Sequence, residues 1–201
     1  MTACSKPQMT TRPMLRVLRP EDYEDFQRLR ADALLRHPHA CSASPGEDAA
    51  PDEVAARARL AATQDRFIVG AFRLGAMVGM LGLVRMRPQK LRHRATIWGA
   101  YVAPDLRGQG LAKSLLGLML AEALRRPGIE QVTASVYSDS AAAWQLFQGG
   151  GFKRWGISRH AAKVEGAYLD EEHCTLPLNR YLRDEVASFE HARVGFIGRG
   201  D

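Results

Sequence analysis

Apolar positions along this chain follow two spacings, and the spacing changes from one segment to the next. Some segments alternate apolar and polar residues or form short β-prone runs, which predicts strands. The predicted strands are 14–18, 67–72, 77–86, 96–102, 131–137, 152–164 and 168–178. Other segments repeat apolar residues every three or four positions, which predicts helices with one buried stripe. The predicted helices are 20–37, 51–62, 110–125 and 141–148.

Proline, glycine and acidic residues mark the ends of these segments. Pro20 and Pro51 are each followed by acidic residues, an arrangement favoured in the first turn of a helix. Pro127-Gly128 and the glycines at 149–151 end the later helices. Helices therefore come early, an antiparallel meander follows, and a strand–helix–strand–helix–strand core comes last. This order predicts an α/β fold whose sheet has mixed direction, not a regular doubly wound sheet.

The length of 201 residues suits one domain with a sizeable core. We expect a flexible leader at 1–13, a folded domain at 14–178 and a C-terminal extension at 179–201. The extension contains an amphipathic stretch at 181–194, which would dock on the domain, mediate dimerisation or fray. Both a monomer and a homodimer are therefore open.

Composition places the chain among ordinary soluble globular proteins, with 46% apolar and 25% charged residues. No apolar run approaches the ~18 residues of a membrane helix. The N-terminus lacks the apolar core of a signal peptide. We therefore expect a cytoplasmic protein with no membrane partner. Cys4, Cys41 and Cys174 form no CxxC pair, which indicates neither a metal site nor a disulfide framework.

The net charge of +6 fits an anionic ligand, either a phosphate-bearing cofactor or a nucleic acid. The sequence has no helix-turn-helix signature, zinc-finger spacing or RNA-recognition aromatic motif, which disfavours the nucleic acid. A basic run lies between two predicted strands and consists of Arg85, Arg87, Lys90, Arg92 and Arg94. It indicates a solvated hairpin face; the alternative is attraction of an acidic substrate or a cofactor phosphate.

The most informative segment, 101–112, passes from a strand through a turn into a helix. A helix N-terminus exposes unpaired N–H groups and the positive end of the helix dipole, which together favour an anion. Gly108 and Gly110 would let phosphate oxygens approach the backbone, and Arg107 adds a permanent charge. Lys113 replaces the third glycine of a dinucleotide fingerprint, and Ala112 replaces the second glycine of a P-loop. What remains is R-x-x-G-x-A, which would bind an anion or merely turn the chain.

This segment resembles the acyl-CoA pyrophosphate loop of the GNAT superfamily of N-acetyltransferases. Two later segments are similar to other motifs of that family: 143–152 to A-x-x-L-Y-x-x-x-G-F, and 163–171 to the G-x-Y-x-D-E hairpin. All three occur in the family's order, and the resemblance covers 14–178. It implies a mixed, mostly antiparallel sheet of about six to seven strands flanked by helices. It also implies that the two central parallel strands splay apart.

The resemblance further implies an acetyltransferase that moves the acetyl group of acetyl-CoA onto a primary amine of a small molecule or peptide. The amine would attack directly in a ternary complex, with no metal. The pantetheine arm would pair with backbone groups of Tyr101 and Val102, at the end of the predicted strand 96–102. The loop N–H groups would hold the pyrophosphate. The positions implied at the cofactor are Tyr101, Val102, Arg107, Gly108, Gln109, Gly110, Leu111, Ala112, Ser140, Ala143 and Phe147.

The sequence departs from the family pattern where protons would move. Phe147 stands where the family often has the tyrosine that protonates the leaving thiolate, and Ser140 stands where it often has asparagine. Many relatives place a carboxylate on the strand at 96–102, but residues 66–104 contain no Asp or Glu. The candidate proton-transfer residues are His93, Tyr137 and Ser140, with Glu165 and Asp170 as rivals. A non-catalytic acyl-CoA binding module is the alternative function.

Overall fold

The computed structural model describes residues 12–37 and 52–178. The elements, with their bounds, are β1 Met14–Val17, α1 Tyr23–Arg36, α2 Glu53–Leu60, β2 Arg66–Arg73, β3 Ala76–Arg85, β4 Arg94–Val102, α3 Leu111–Leu124, β5 Gln131–Tyr137, α4 Ala141–Gly149, β6 Lys153–Val164 and β7 Ala167–Pro177. The leader, except for its last two residues, and the C-terminal extension lie outside the described residues. No helix in the described ranges is long and apolar enough to cross a membrane.

The strands form one sheet in the order β1-β2-β3-β4-β5-β7-β6. Neighbouring strands are antiparallel everywhere except at β4 and β5, which are parallel. The parallel pair arises because α3 carries the chain back across the sheet between these two strands, as parallel neighbours require. The predicted mixed, mostly antiparallel sheet is therefore confirmed.

The two parallel strands separate soon after they start. β4 pairs with β5 only from Arg94 to Thr96, opposite 131–133. Beyond that point β4 stays with β3, and β5 stays with β7. The register between β3 and β4 shifts by one residue around Gly99, whose φ is +64°. This bulge bends β4, and the sheet opens between the carboxyl ends of β4 and β5.

The two faces of the sheet bury different clusters of apolar side chains. On one face, α3 packs on the sheet through buried residues that include Leu115 and Met119, with Val132 of β5 beneath them. On the other face, α1 and α2 cover a cluster that includes Leu29 and Met80. Each fully buried aliphatic side chain contributes about 1.5–3 kcal/mol, so both helical layers are firmly attached. The opening between β4 and β5 therefore connects an α3 face with an α1/α2 face.

Most element bounds differ from the predicted ones by a few residues, for local reasons. Residues 20–22 form a 3₁₀ turn, so α1 begins at Tyr23. In this turn Asp22 accepts two hydrogen bonds of 2.6 Å from Arg16 and one of 2.7 Å from the Arg19 N–H. Burial favours the neutral acid, but these hydrogen bonds outweigh it and lower the pKa of Asp22. The turn thereby ties β1 to the start of α1.

Candidate active site

The loop between β4 and α3 places two glycines at the mouth of the opening. Gly108 and Gly110 have φ of +73° and +77°, which disfavours any residue with a Cβ. A Cβ built on either would meet no protein atom within 4 Å, so packing does not explain why both are glycine. Gly110 is the N-cap of α3 and has no side chain with which to satisfy the first N–H groups of the helix. The loop is thus a bare helix N-terminus that faces open space.

Arg107 secures this loop to the end of β4. Its Nε donates to the Val102 carbonyl at 2.9 Å, and its guanidinium lies 5.4 Å from the centre of the Tyr101 ring. A terminal nitrogen lies 2.8 Å from Nε2 of His37, at the end of α1. From the sequence we expected Arg107 as a charge at the rim. The structure holds its guanidinium against β4 and α1, where it positions the loop, and the residue is exposed, so its charge at the rim stays a prediction.

Tyr101 and Val102 form the β4 wall of the opening, and both are buried. The Tyr101 hydroxyl donates to Oδ2 of Asp32 at 2.7 Å. Burial, together with this hydrogen bond, raises the pKa of Tyr101 to about 12. The phenol is therefore neutral, and its proton is already donated to Asp32.

A family model described as Acetyltransferase (GNAT) family matches residues 24–152, which include the loop and both strands of the opening. The chain belongs to this family.

Several relatives resemble this GNAT chain over most of its length. The phosphinothricin N-acetyltransferase of Alcaligenes faecalis is 25% identical over 167 residues, or 82% of each chain. A GNAT acetyltransferase structure from Streptococcus pneumoniae has a TM-score of 0.73 at 18% identity and covers 83% of this chain and 99% of its own. The Sinorhizobium meliloti phosphinothricin acetyltransferase, solved with acetyl-CoA, has a TM-score of 0.69 at 21% identity and covers 84% and 90%. These structures establish the shared GNAT fold.

The α4 side of this GNAT site contains a core residue at the family's tyrosine position. Phe147 is only 2% exposed and packs edge-on against Phe152, with ring centres 5.2 Å apart. Ser140 precedes α4, and its carbonyl accepts hydrogen bonds from the N–H groups of Ala143 and Trp144. Its own hydroxyl lies 3.4 Å from Asp139. Ser140 therefore starts the helix through its backbone, and its hydroxyl is left near the surface.

The predicted proton-transfer residues are not all brought together. His93 precedes β4, at the opposite end of that strand from the loop, and β4 spans about 30 Å at ~3.3 Å per residue. Tyr137 ends β5 on the opening side. Glu165 lies in the turn between β6 and β7. Asp170 accepts from the His160 N–H and pairs with Arg159, and these contacts lower its pKa and brace the hairpin.

Two features of the site were missed from the sequence. The first is the contact of α1 with the end of β4, through Asp32 and His37. Burial and the charge of Arg107 lower the pKa of His37, which keeps its ring neutral at neutral pH. The second is a hydrogen-bonded group on the α1/α2 face in which His173 of β7 lies between Ser135 and Ser158. The residues that contact one another in both features are far apart in sequence, so no local motif predicts the contacts.

Proposed function

We propose that this chain is an N-acetyltransferase that moves the acetyl group of acetyl-CoA onto a primary amine of a small molecule or peptide. The observation that carries the proposal is the bare N-terminus of α3, opened by two left-handed glycines at the mouth of the splayed strands. A helix N-terminus of this kind binds anions, and a pyrophosphate is one of them. The acetyl-CoA bound to the Sinorhizobium meliloti relative supports the same ligand here.

In this proposal the backbone does most of the cofactor binding. The N–H groups of Gly108, Gly110, Leu111 and Ala112 bind the pyrophosphate, and each hydrogen bond to a charged group contributes about 1.5–3 kcal/mol. Beyond Thr96 the edge of β4 no longer pairs with β5, so its N–H and C=O groups are available to the amides of the pantetheine arm. The Val102 carbonyl accepts from Arg107 and retains a second lone pair for that purpose.

The acceptor amine attacks the thioester directly, in a ternary complex. An alkyl ammonium with a pKa near 10.4 is neutral only about once in 2,500 molecules at pH 7, so a group on the protein or a water chain must remove its proton. Phe147 has no proton to donate to the departing sulfur. A thiol with a pKa of about 8.5 still leaves tolerably as the thiolate.

The decisive experiment mixes the purified protein with acetyl-CoA and a panel of amines, and follows release of the CoA thiol. Two relatives are named for phosphinothricin, so the panel begins with phosphinothricin and continues with other small amines and peptide N-termini. We expect steady thiol release with at least one acceptor. Initial rates are plotted double-reciprocally against acetyl-CoA at several amine concentrations. Intersecting lines would support a ternary complex, whereas parallel lines would indicate a covalent acetyl-enzyme.

Two outcomes would contradict the proposal in different ways. Tight binding of acetyl-CoA without turnover of any amine would favour the non-catalytic binding module. Failure to bind acetyl-CoA would remove the loop assignment itself. The cytoplasmic location and the choice between monomer and homodimer stay predictions.

A further inference from the structure

The α1/α2 face of the opening contains a serine whose position follows from the strand register. Thr96 and Thr133 are the last paired residues of β4 and β5, and their hydroxyl oxygens lie 3.0 Å apart. Side chains two positions apart on a strand share a face. Ser135 therefore lies on the same face as Thr133, at the first such position where β4 no longer covers the edge of β5. The residue is exposed.

His173 lies directly beside Ser135, on β7. Its Nδ1 is 3.0 Å from Oγ of Ser135, and its Nε2 is 2.7 Å from Oγ of Ser158 on β6. The Trp155 ring stacks on the imidazole, with centres 5.3 Å apart and planes inclined by 24°. An imidazole held at both nitrogens and covered on one face is an ordered group, unlike a solvated surface histidine.

Each ring nitrogen of His173 has one serine hydroxyl as its hydrogen-bond partner. With a proton on Nε2, the imidazole donates to Ser158 and accepts from the Ser135 hydroxyl at Nδ1. Oε2 of Glu171 lies 3.9 Å from the same Nε2. On the same face of the sheet, Lys153 of β6 pairs with Thr175, and Tyr137 of β5 pairs with Glu171. On α1, the Arg30 guanidinium lies 5.8 Å from the Trp98 ring centre.

We propose that Ser135 and His173 form the proton relay that deprotonates the acceptor amine. This inference rests on the proposed acetyltransferase function. It supplies a base in a chain whose residues 66–104 contain no carboxylate. The Ser135 oxygen takes a proton from the ammonium while its own proton passes to Nδ1 of His173.

The remaining bond changes balance within the ternary complex. The neutral amine forms the C–N bond to the thioester carbon, and the C–S bond breaks with its electron pair on sulfur. The second proton lost from nitrogen protonates the CoA thiolate. The proton held on His173 returns to solvent, so the net products are the amide, CoA thiol and one proton.

The test compares four variants in the thiol-release assay across pH. Ser135→Ala and His173→Gln are expected to lower kcat about 10- to 100-fold at neutral pH, within the usual range for general base catalysis. Ser158→Ala leaves the Ser135–His173 contact in place and is expected to lose less. His160→Gln makes the same substitution on an exposed histidine of β6 and serves as the matched control, with activity like that of the native protein.

The pH dependence separates a relay from a structural role. Without the relay, the rate depends on the free amine already in solution, so the deficit of His173→Gln should shrink as pH rises. The Kd for acetyl-CoA should stay within about twofold of the native value in every variant. The relay is overturned if Ser135→Ala and His173→Gln keep native kcat, or if their deficit is the same at every pH.

Two further outcomes are distinguishable from these. An acetyl group found on Ser135 by mass spectrometry after mixing with acetyl-CoA alone would overturn the relay, because that serine would then be a nucleophile. Absence of turnover in the native protein would reject the proposed function itself. Native turnover with unaffected variants would reject the relay alone.

Discussion

Replacing Gly110 by alanine tests the loop more directly than any other change. Its φ of +77° lies in the left-handed region, where a residue with a Cβ is disfavoured by about 1–2 kcal/mol. The added methyl meets no protein atom within 4 Å, so no steric clash adds to this loss of stability. We therefore expect Gly110→Ala to lower the free energy of unfolding by about 1–2 kcal/mol and to leave the fold intact.

The effect on the ligand should be larger than the effect on the fold. The methyl stands in the open space from which the proposed pyrophosphate reaches the first N–H groups of α3. Loss of one charge-assisted hydrogen bond, about 1.5–3 kcal/mol, raises Kd about 10- to 150-fold. The Kd for acetyl-CoA is measured by isothermal titration calorimetry, and the stability of the same samples by urea unfolding.

Gly75 provides a matched control in the turn between β2 and β3. Its φ is +80°, and a Cβ there also meets no protein atom within 4 Å. Gly75→Ala should therefore lose the same stability as Gly110→Ala and keep the native Kd. The reasoning is refuted if Gly110→Ala binds acetyl-CoA within about threefold of the native protein, or if Gly75→Ala weakens binding equally.

Three further changes probe the surrounding structure. The hydrogen bond from Tyr101 lowers the pKa of Asp32, and Arg36 adds a weaker effect in the same direction. Tyr101→Phe removes this hydrogen bond, so an NMR titration of the Asp32 carboxyl should show a higher pKa. Asp22→Asn should destabilise the protein by about 2 kcal/mol at neutral pH in urea unfolding. Folding lowers the pKa of Asp22 below its unfolded value of 3.8. The native protein should therefore be more stable than Asp22→Asn above pH 3.8, and this difference should vanish as the pH falls through the pKa of Asp22 in the folded state. Gly82→Ala should lower the urea midpoint of unfolding, because its methyl group would collide with the Trp98 indole of β4.

The features that sequence reasoning found are contiguous or periodic. The loop at 107–112 is a single run, and its proposed binding groups are mostly backbone N–H groups, whose direction follows from a strand–turn–helix order. The alternation of helices and strands was equally readable from apolar spacing. Such features need no knowledge of which distant residues meet.

The features that it missed depend on register and on helix docking. Asp32 and Tyr101 are 69 residues apart, and Ser135 and His173 are 38 apart. A one-residue slip of β7 against β5 would send His173 to the other face, and no local pattern excludes such a slip. His93 comes just before β4, and its sequence position already places it at the end of that strand away from the loop.

Two of the departures from the family pattern, Phe147 and the missing strand carboxylate, differ in energetic weight. At pH 7 an alkyl ammonium lies 3.4 pKa units on the protonated side, so presenting the free amine costs about 4.6 kcal/mol. A leaving thiolate with a pKa of 8.5 lies only 1.5 units from neutrality, which corresponds to about 2 kcal/mol. Loss of the acid hydroxyl at Phe147 is therefore the smaller defect, because the thiolate can take the second proton that the amine loses. Loss of a strand carboxylate is the larger defect, because it removes the group that would take the proton from the ammonium. On the α1/α2 face, His173 is hydrogen-bonded to the exposed Ser135 beside the opening between β4 and β5. On the α3 face, the buried Phe147 occupies the position of the family's acid. This asymmetry is what a site needing a base more than an acid should show.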